Sequence, residues 1–394
     1  MTDNKLSLTF TGDIGFDKYM DKRWNDEQLV SDDILGFMHN SDHVIVDVEA
    51  PIFKHKDDKD AKGIAQLTHA INPDAVGALK HLGADVWNIC NNHMMNLGEK
   101  GLYNTLDIAK KSGVKTIGAG RNICEAADII YYDEAGGVGL FAFGYYDGCV
   151  PATDNKGGCL TWRETSIIRD NIKRIKEKCR HCIIVFHGGE EFSTLPVPYV
   201  RDRLRSFLDM GADIIVCHHP HVPMNYEMFG EKIIFYSLGN FIYDTDYQRA
   251  QINTDIGVVL KINLDENGYD FEAIGTKIDR TSERVIKGKL PDIFCEVNEE
   301  EYAKLIPLAC KTFLEMTKRL ASYVFPDKYK DYTEKDWKDD FLNPNRLYRL
   351  ENELQDLRLI YEIALQEENK AWQDSKLDKV INYLLSLSCP CTHE

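Results

Sequence analysis

The sequence predicts an α/β fold, with a large layered catalytic domain over residues 1–289 followed by a helical C-terminal extension over residues 290–394. Three observations carry this. From Leu6 to about Ile278, short apolar runs alternate with amphipathic helical stretches, as layered sheets and helices require. Beyond Lys289 the strand signals stop, and long stretches with helical periodicity and charged faces take over. The length, 394 residues, exceeds one ordinary domain, whereas a single α/β domain can reach about 250 residues.

The expected strands, in order, are Leu6–Thr11, His43–Val48, Asp85–Cys90, Val138–Phe143, Cys182–Phe186, Asp213–Cys217 and Ile233–Ser237. Helices are expected between them at Pro73–Leu82, Glu99–Lys111, Glu164–Lys178 and Pro198–Met210. Gly83 and Gly211 each close a helical run, as a C-terminal glycine does. Ile256–Leu264 and Tyr269–Ile278 read as a hairpin turning at Glu266-Asn267-Gly268. In the extension, Glu299–Val324, Arg346–Glu368 and Ser375–Leu385 are expected helices around the polar stretch Pro326–Asp339. Such helices bury one stripe and leave the other face in solvent, so the extension is expected to pack on the catalytic domain or to form a homodimer contact. Trp337, Arg346 and Tyr348 are then available to wall a substrate cleft.

Composition narrows the function. With 43% hydrophobic and 28% charged residues the chain is of ordinary globular type. A formal net charge of -17 argues against a nucleic-acid or anionic-lipid partner, since both are polyanions. The N-terminus runs from Met1-Thr2-Asp3-Asn4-Lys5 straight into strand pattern, with neither the basic flank nor the apolar core of a signal peptide, and no stretch is apolar enough to span a bilayer. No membrane anchor and a cytoplasmic location are therefore expected. Eleven scattered cysteines, several in apolar runs (Cys90, Cys182, Cys217), fit buried free thiols in a reducing compartment. The isolated pairs Cys179/Cys182 and Cys389/Cys391 lack the second pair that a zinc site of that spacing needs and are given no function.

The chemistry is positional. Nearly every group of metal-ligand residues follows an apolar run: Gly12-Asp13, Glu49, Asn91-Asn92-His93, His187, His218-His219-Pro220-His221 and Gly239-Asn240. Ligands of open α/β sheets gather at the carboxyl ends of strands, so residues scattered in sequence converge on one rim. A lone Asp after a strand is usually a turn or cap residue, and a lone His often just ends a strand. Coincidence across six strand ends is another matter. Carboxylate, amide and imidazole together suit Mn²⁺, Fe²⁺ or Zn²⁺ better than calcium. With enough donors for two divalent metal ions and a carboxylate able to bridge, a two-metal site about 3.5–4 Å across is expected; such a site acidifies water and clamps the oxygens of a phosphate or carbonyl.

At these residues the chain resembles the CapA-like capsule-synthesis (poly-γ-glutamate synthesis) family, a branch of the calcineurin-like metallophosphatases. The resemblance runs in order through TGDIGF, VDVEAPIF, NICNNHMMNLGEKGLYNTL, FHGGEEF, GADIIVCHHPHVP and FYSLGNFIYD, over residues 6–275. It implies a sandwich of two mixed sheets flanked by helices. It also implies that Asp13 and His221 bind a first metal, that Asn92, His187 and His219 bind a second, and that Glu49 bridges them. His93 is implied as the catalytic histidine that donates a proton to the leaving group or stabilises its charge, and Glu191 as an acidic catalytic-site residue. The chain departs from the pattern at Gly15, where related phosphatases carry histidine, and at Asn96, where an acidic residue is common. It departs again at Gly188, where the frequent residue is Trp, and at Cys217, where it is Gly. The activity implied is metal-dependent hydrolysis of a phosphoester, or of an amide, on a small-molecule, peptide or polymer substrate. Two alternatives use the same residues: epimerisation of a peptide through carbon-acid chemistry, and a non-catalytic accessory role in capsule or poly-γ-glutamate biosynthesis.

Overall fold

Along the strands, buried residues point alternately to two different apolar clusters, and this alternation sets the layers. The structure is a computed structural model that describes residues 4–54, 68–145, 148–307 and 326–341, with Cys310, Lys318 and Ser322. The expected helices Arg346–Glu368 and Ser375–Leu385, with Arg346, Tyr348 and the Cys389/Cys391 pair, lie outside the described residues.

The strands are β1 Leu6–Gly15, β2 His43–Val48, β3 Ala84–Asn88, β4 Lys115–Ile117, β5 Ala119–Gly120, β6 Ile130–Tyr132, β7 Val138–Gly144 and β8 Gly158–Cys159. They continue as β9 His181–His187, β10 Ile214–His218, β11 Tyr226–Phe229, β12 Lys232–Phe235, β13 Asn240–Tyr243, β14 Ile256–Leu264, β15 Tyr269–Asp279 and β16 Arg284–Gly288. The helices are α1 Asp32–His39, α2 Val76–His81, α3 Gly98–Ser112, α4 Ile123–Ala126, α5 Thr165–Lys176, α6 Pro198–Asp209 and α7 Asp246–Arg249. After them come α8 (299–307), α9 Pro326–Tyr329 and α10 Glu334–Phe341.

Among the described residues the strands form two mixed sheets and a small two-stranded one, β5-β8. The first sheet runs β16-β15-β14-β1-β2-β3-β4, with β13 added beside the end of β1; the second runs β11-β12-β10-β9-β7-β6. From β1 to β4 the pairing is parallel, as it is from β7 through β9 and β10 to β12. One face of the second sheet (Leu140, Ile183, Val185, Ile214, Val216, Phe235) packs into the cluster that holds Leu8, Val46 and Leu260 of the first. Its other face (Phe141, Phe143, Ile184, Phe186, Ile215, Ile234) lies under Ile168, Ile172 and Ile175 of α5 and Leu204 and Phe207 of α6. Strands buried on both faces read as continuous apolar runs, which is why β7, β9 and β10 stand out in the sequence. Two mixed sheets flanked by helices is the architecture that the resemblance implied.

The expected and observed elements differ at their ends for local reasons. β1 continues to Gly15 because β13, too short to show in the sequence, pairs with its last residues (Asp13 with Asn240, Ile14 with Ile242). β3 stops at Asn88, whose side-chain oxygen accepts from the Cys90 amide at 3.2 Å and turns the chain. The helix expected from Pro73 starts as a 3₁₀ turn under an Asn72 cap. The hairpin is as expected, its turn held by the Asp265 carboxylate, which accepts from the amides of Asn267 (2.7 Å) and Gly268 (3.0 Å). No helix among the described residues is long and apolar enough to cross a membrane.

Beyond Lys289, Ile293, Val297, Tyr302, Leu305 and Ile306 bury their side chains in the cluster beneath α5 and α6. Arg201 of α6 fastens this segment. It donates to both oxygens of buried Glu227 (Nε at 2.7 Å, Nη2 at 2.6 Å) and reaches Glu299, the first residue of α8, at 2.8 Å. Tyr302 adds a hydrogen bond to the Pro196 carbonyl at 2.8 Å. Removing one partner of a buried ion pair strands the other charge. Arg201→Met is therefore expected to destabilise the fold by about 3–5 kcal/mol in urea denaturation, and adding Glu227→Leu to recover most of that loss. Equal stability of Arg201→Met and the unsubstituted protein would show that the pair does not hold this layer.

Candidate metal centre

The strand ends converge. Gly12 brings β1 so close to the Gly239 carbonyl that a side chain there would collide with it, and the Asp13 amide donates to that carbonyl at 3.0 Å. This close approach fixes Asp13 at the rim. Glu49, one residue past β2, is tied by its amide to the Ile14 carbonyl at 2.9 Å. The Asn91-Asn92-His93 turn after β3 is anchored by the Asn91 side-chain amide, which donates to the Val48 carbonyl at 2.8 Å. His187 ends β9 and His218 ends β10. His219 and His221 follow with left-handed backbone (φ 99° and 59°), an uncommon conformation for non-glycine residues that marks a constrained turn.

The hydrogen bonds decide which ring nitrogens carry protons. Asn240 donates its side-chain amide to the Thr254 carbonyl (2.9 Å), so its oxygen faces His221 Nδ1 at 2.9 Å and makes that nitrogen the donor. Asn96 accepts from the His69 backbone amide (2.9 Å), so the same oxygen takes a proton from His93 Nδ1, also at 2.9 Å. His187 Nδ1 lies 3.1 Å from the Asp47 carboxylate, which can only accept. In the neutral His93 and His221 rings Nε2 is then the lone pair, whereas His187 Nε2 donates to the Asn92 side-chain oxygen at 2.8 Å. All three face one atom: Glu49 Oε1 lies 3.6 Å from His187 Nε2, 3.6 Å from His221 Nε2 and 4.0 Å from His93 Nε2.

Acceptors gathered without donors are what a cation site looks like before its charge is counted. Both Glu49 oxygens, Asp13 Oδ1 and the Nδ1 atoms of His218 and His219 are buried without a hydrogen-bond partner. Burial pushes the Glu49 carboxyl well above its ordinary range, and the negative charges of Asp13, Asp47 and Glu191 push it further. Burial likewise holds His93 and His219 well below the ordinary imidazole value, with His69 adding to the effect at His93 and His187 at His219. Two groups have ligand atoms close enough to share an ion, all within 4.8 Å of one another: Glu49 with His219 and His221, and Asp13 with Asp47 and His187.

The structure thus brings together Asp13, Glu49, Asn92, His93, His187, His219 and His221. His187 lies beside Asp13 and Asp47 as well as beside Asn92, and His221 contacts Asp13 at 3.2 Å. Glu191 stands at the edge, where its carboxylate accepts from the Tyr247 hydroxyl at 2.8 Å. Sequence reasoning missed Asp47, and it named His218 within its run without giving it a role. Asp47, hydrogen-bonded by the Asn88 amide, interrupts the apolar run of β2, and a buried charge inside a strand was the available signal. His218, 3.3 Å from Asp13 Oδ1, was the first imidazole of the His-His-Pro-His turn. Gly15 makes room for the Tyr243 ring, 2.6 Å from where a Cβ would sit, so no side chain from that position can enter the centre. His69 was also missed: its ring lies edge-on to His93 at 4.4 Å and bonds Asp17 at 2.9 Å.

A mixed-sheet α/β fold with buried carboxylates and imidazoles at its strand ends defines the chain as an α/β protein with a candidate divalent-metal centre. The family model described as bacterial capsule synthesis protein PGA_cap matches residues 7–245, and the chain belongs to that family. It is 30% identical over 272 residues to the capsule biosynthesis protein CapA of Bacillus anthracis, covering 67% of this chain and 65% of that protein's length. It is 32% identical over 269 residues to the PGA biosynthesis protein CapA of Bacillus subtilis, covering 66% of this chain and 70% of that one. A 5'-nucleotidase structure from Candida albicans aligns with 70% of this chain and 52% of that one at 14% identity and a TM-score of 0.38, too loosely to bear on function.

If the orphaned acceptors await a cation, chelator-treated protein should gain stability when Mn²⁺, Zn²⁺ or Fe²⁺ is returned, by about 2.7 kcal/mol at one hundred times the dissociation constant. Thermal melts that do not move with any of the three ions would count against a metal centre.

Proposed function

We propose that the chain is a metal-dependent hydrolase of phosphoesterase-like chemistry that serves polymer or peptide biosynthesis and holds two divalent ions, drawn from Mn²⁺, Fe²⁺ and Zn²⁺. The observation that carries the reading is the convergence of three imidazole Nε2 atoms on buried Glu49, whose two oxygens have no hydrogen-bond partner. A bridging carboxylate flanked by imidazoles is the donor set that two borderline ions share. His219 and His221 would serve one ion, Asp13, Asp47, Asn92 and His187 the other, with Glu49 between them. When bound, the ions acidify water and draw charge from the oxygens of a phosphate or carbonyl.

The remaining work falls to protein groups. Asp47, Asn240 and Asn96 each hold a ring by its Nδ1 proton, which fixes both tautomer and aim. His93 Nε2 carries the mobile proton: its lone pair takes one from the attacking water or, once protonated, returns one to the leaving oxygen. Tyr243 and Phe192 both stack on the His221 ring, at 4.9 and 6.1 Å between centroids, and help to hold it in place. Glu191 at the rim adds negative charge next to the centre and suits a role in receiving a substrate amine or proton.

The capsule and polymer names borne by the curated relatives favour a substrate from that biosynthesis, such as a γ-glutamyl peptide or a phosphorylated precursor. Purified protein is expected to retain about two divalent ions per chain, and Glu49→Ala to lose both occupancy and turnover. His93→Ala should keep its ions while turnover of phosphoesters or γ-glutamyl peptides falls about 10²–10⁴-fold. Metal loss in step with activity in His93→Ala would make His93 a ligand. Full metal occupancy without turnover of any phosphoester or amide would leave an accessory role.

A further inference from the structure

We infer that Cys90, Cys149 and Cys159 form a second, separate metal site, a trigonal thiolate pocket for a thiophilic ion. The three sulfurs come from three places in the chain: the turn after β3, the loop after β7, and β8. Their Sγ atoms all lie within 4.8 Å of one another, and all three residues are buried. A metal bound to three thiolates at about 2.3 Å sets its sulfurs about 4.0 Å apart in a planar trigonal arrangement, within that limit. No imidazole or carboxylate belongs to the group, so its donor softness selects zinc-like or copper(I)-like ions over the harder Mn²⁺.

The pocket is built rather than incidental. A side chain at Gly144 would strike Cys149 Sγ and come within 3.0 Å of Cys90 Sγ, and one at Gly118, whose φ of +86° also favours glycine, would strike Cys90 Cβ. Two glycines, Gly118 and Gly144, thus leave room for the sulfurs to meet. Three thiols, rather than two, exceed what a disulfide uses. Without an ion the thiols are still accommodated, since Cys90 donates to the Leu160 carbonyl at 3.2 Å and Cys159 to the Asn91 carbonyl at 3.8 Å. Loading releases the thiol protons to solvent as each sulfur turns to the ion. The route in is short: Cys149 is followed by Val150, which is 48% exposed.

The site also touches the other centre. Cys90 stands two residues before Asn92, Cys159 bonds the Asn91 carbonyl, and Gly148, beside Cys149, packs against Asn92 Cβ. An ion among the sulfurs would brace the Asn91-Asn92-His93 turn from behind.

The test uses the full chain, reduced with a phosphine and stripped of metal, titrated with Cd²⁺ as the probe. Thiolate-to-cadmium charge transfer in the ultraviolet reports sulfur ligation alone, so the carboxylate–imidazole centre is silent in it. The expected result is a saturable band that loses about one equivalent's amplitude in Cys149→Ser and again in Cys159→Ser, but not in Cys124→Ser at an exposed position. Should the serine variants fail to fold, alkylation rates in the unsubstituted protein, mapped by peptide mass spectrometry, take their place. Cys90, Cys149 and Cys159 are then expected to be at least tenfold slower to alkylate with Cd²⁺ than without. No band, a band indifferent to Cys149→Ser, or equal alkylation rates with and without Cd²⁺ would overturn the site.

Discussion

A single carboxylate oxygen organises the centre. Glu49 Oε1 sits in full burial with three imidazole nitrogens around it, none of them within hydrogen-bond distance. A carboxylate in such a place is normally neutralised or supplied with donors, because desolvating an unpaired charge is among the most expensive things a fold can do. Burial, together with the neighbouring carboxylates Asp13 and Asp47, accordingly pushes the Glu49 carboxyl well above the ordinary range, a shift that a bound cation would reverse. The surrounding structure keeps the arrangement from relaxing. Gly12 against Gly239, Asn91 against Val48 and the left-handed turn at His219 and His221 each pin one wall of the centre to a different strand end.

Much of this was legible in the sequence because the same physics makes both sheets and sites. Strands buried on two faces leave unbroken apolar runs, and the first polar residue after such a run marks where the chain reaches the rim. Asp13, Glu49, His93 and His187 were read in that way. Asp47 escaped since it lies inside its strand, where the rule looks only for core. β13 escaped because four residues, Asn240 to Tyr243, are too short for a periodic pattern, yet they supply the Asn240 oxygen that orients His221. Partners that fix a tautomer have no sequence signature at all. Asn96 and Asn240 are ordinary asparagines whose meaning comes from what else they bond.

The departures from the family pattern also acquire physical content. Gly15 gives its space to the Tyr243 ring, which stacks on His221, while His218 approaches Asp13 from a different strand. An imidazole near the first carboxylate is thus present, but it arrives from β10 instead of β1. Asn96 keeps the Nδ1 proton on His93 as an acidic residue would, without adding a negative charge that would hold the ring protonated.

That same asparagine has a mechanical consequence. Its one oxygen accepts from the backbone of His69 and from the ring of His93, so the strand-like segment entering at Thr68 and the proton-carrying imidazole share a single pivot. The two rings also meet edge to face, 4.4 Å between centroids, so a displacement of one presses on the other. The placement of residues 68–72 is thereby tied, through one amide side chain, to the aim of His93 at Glu49, 4.0 Å away.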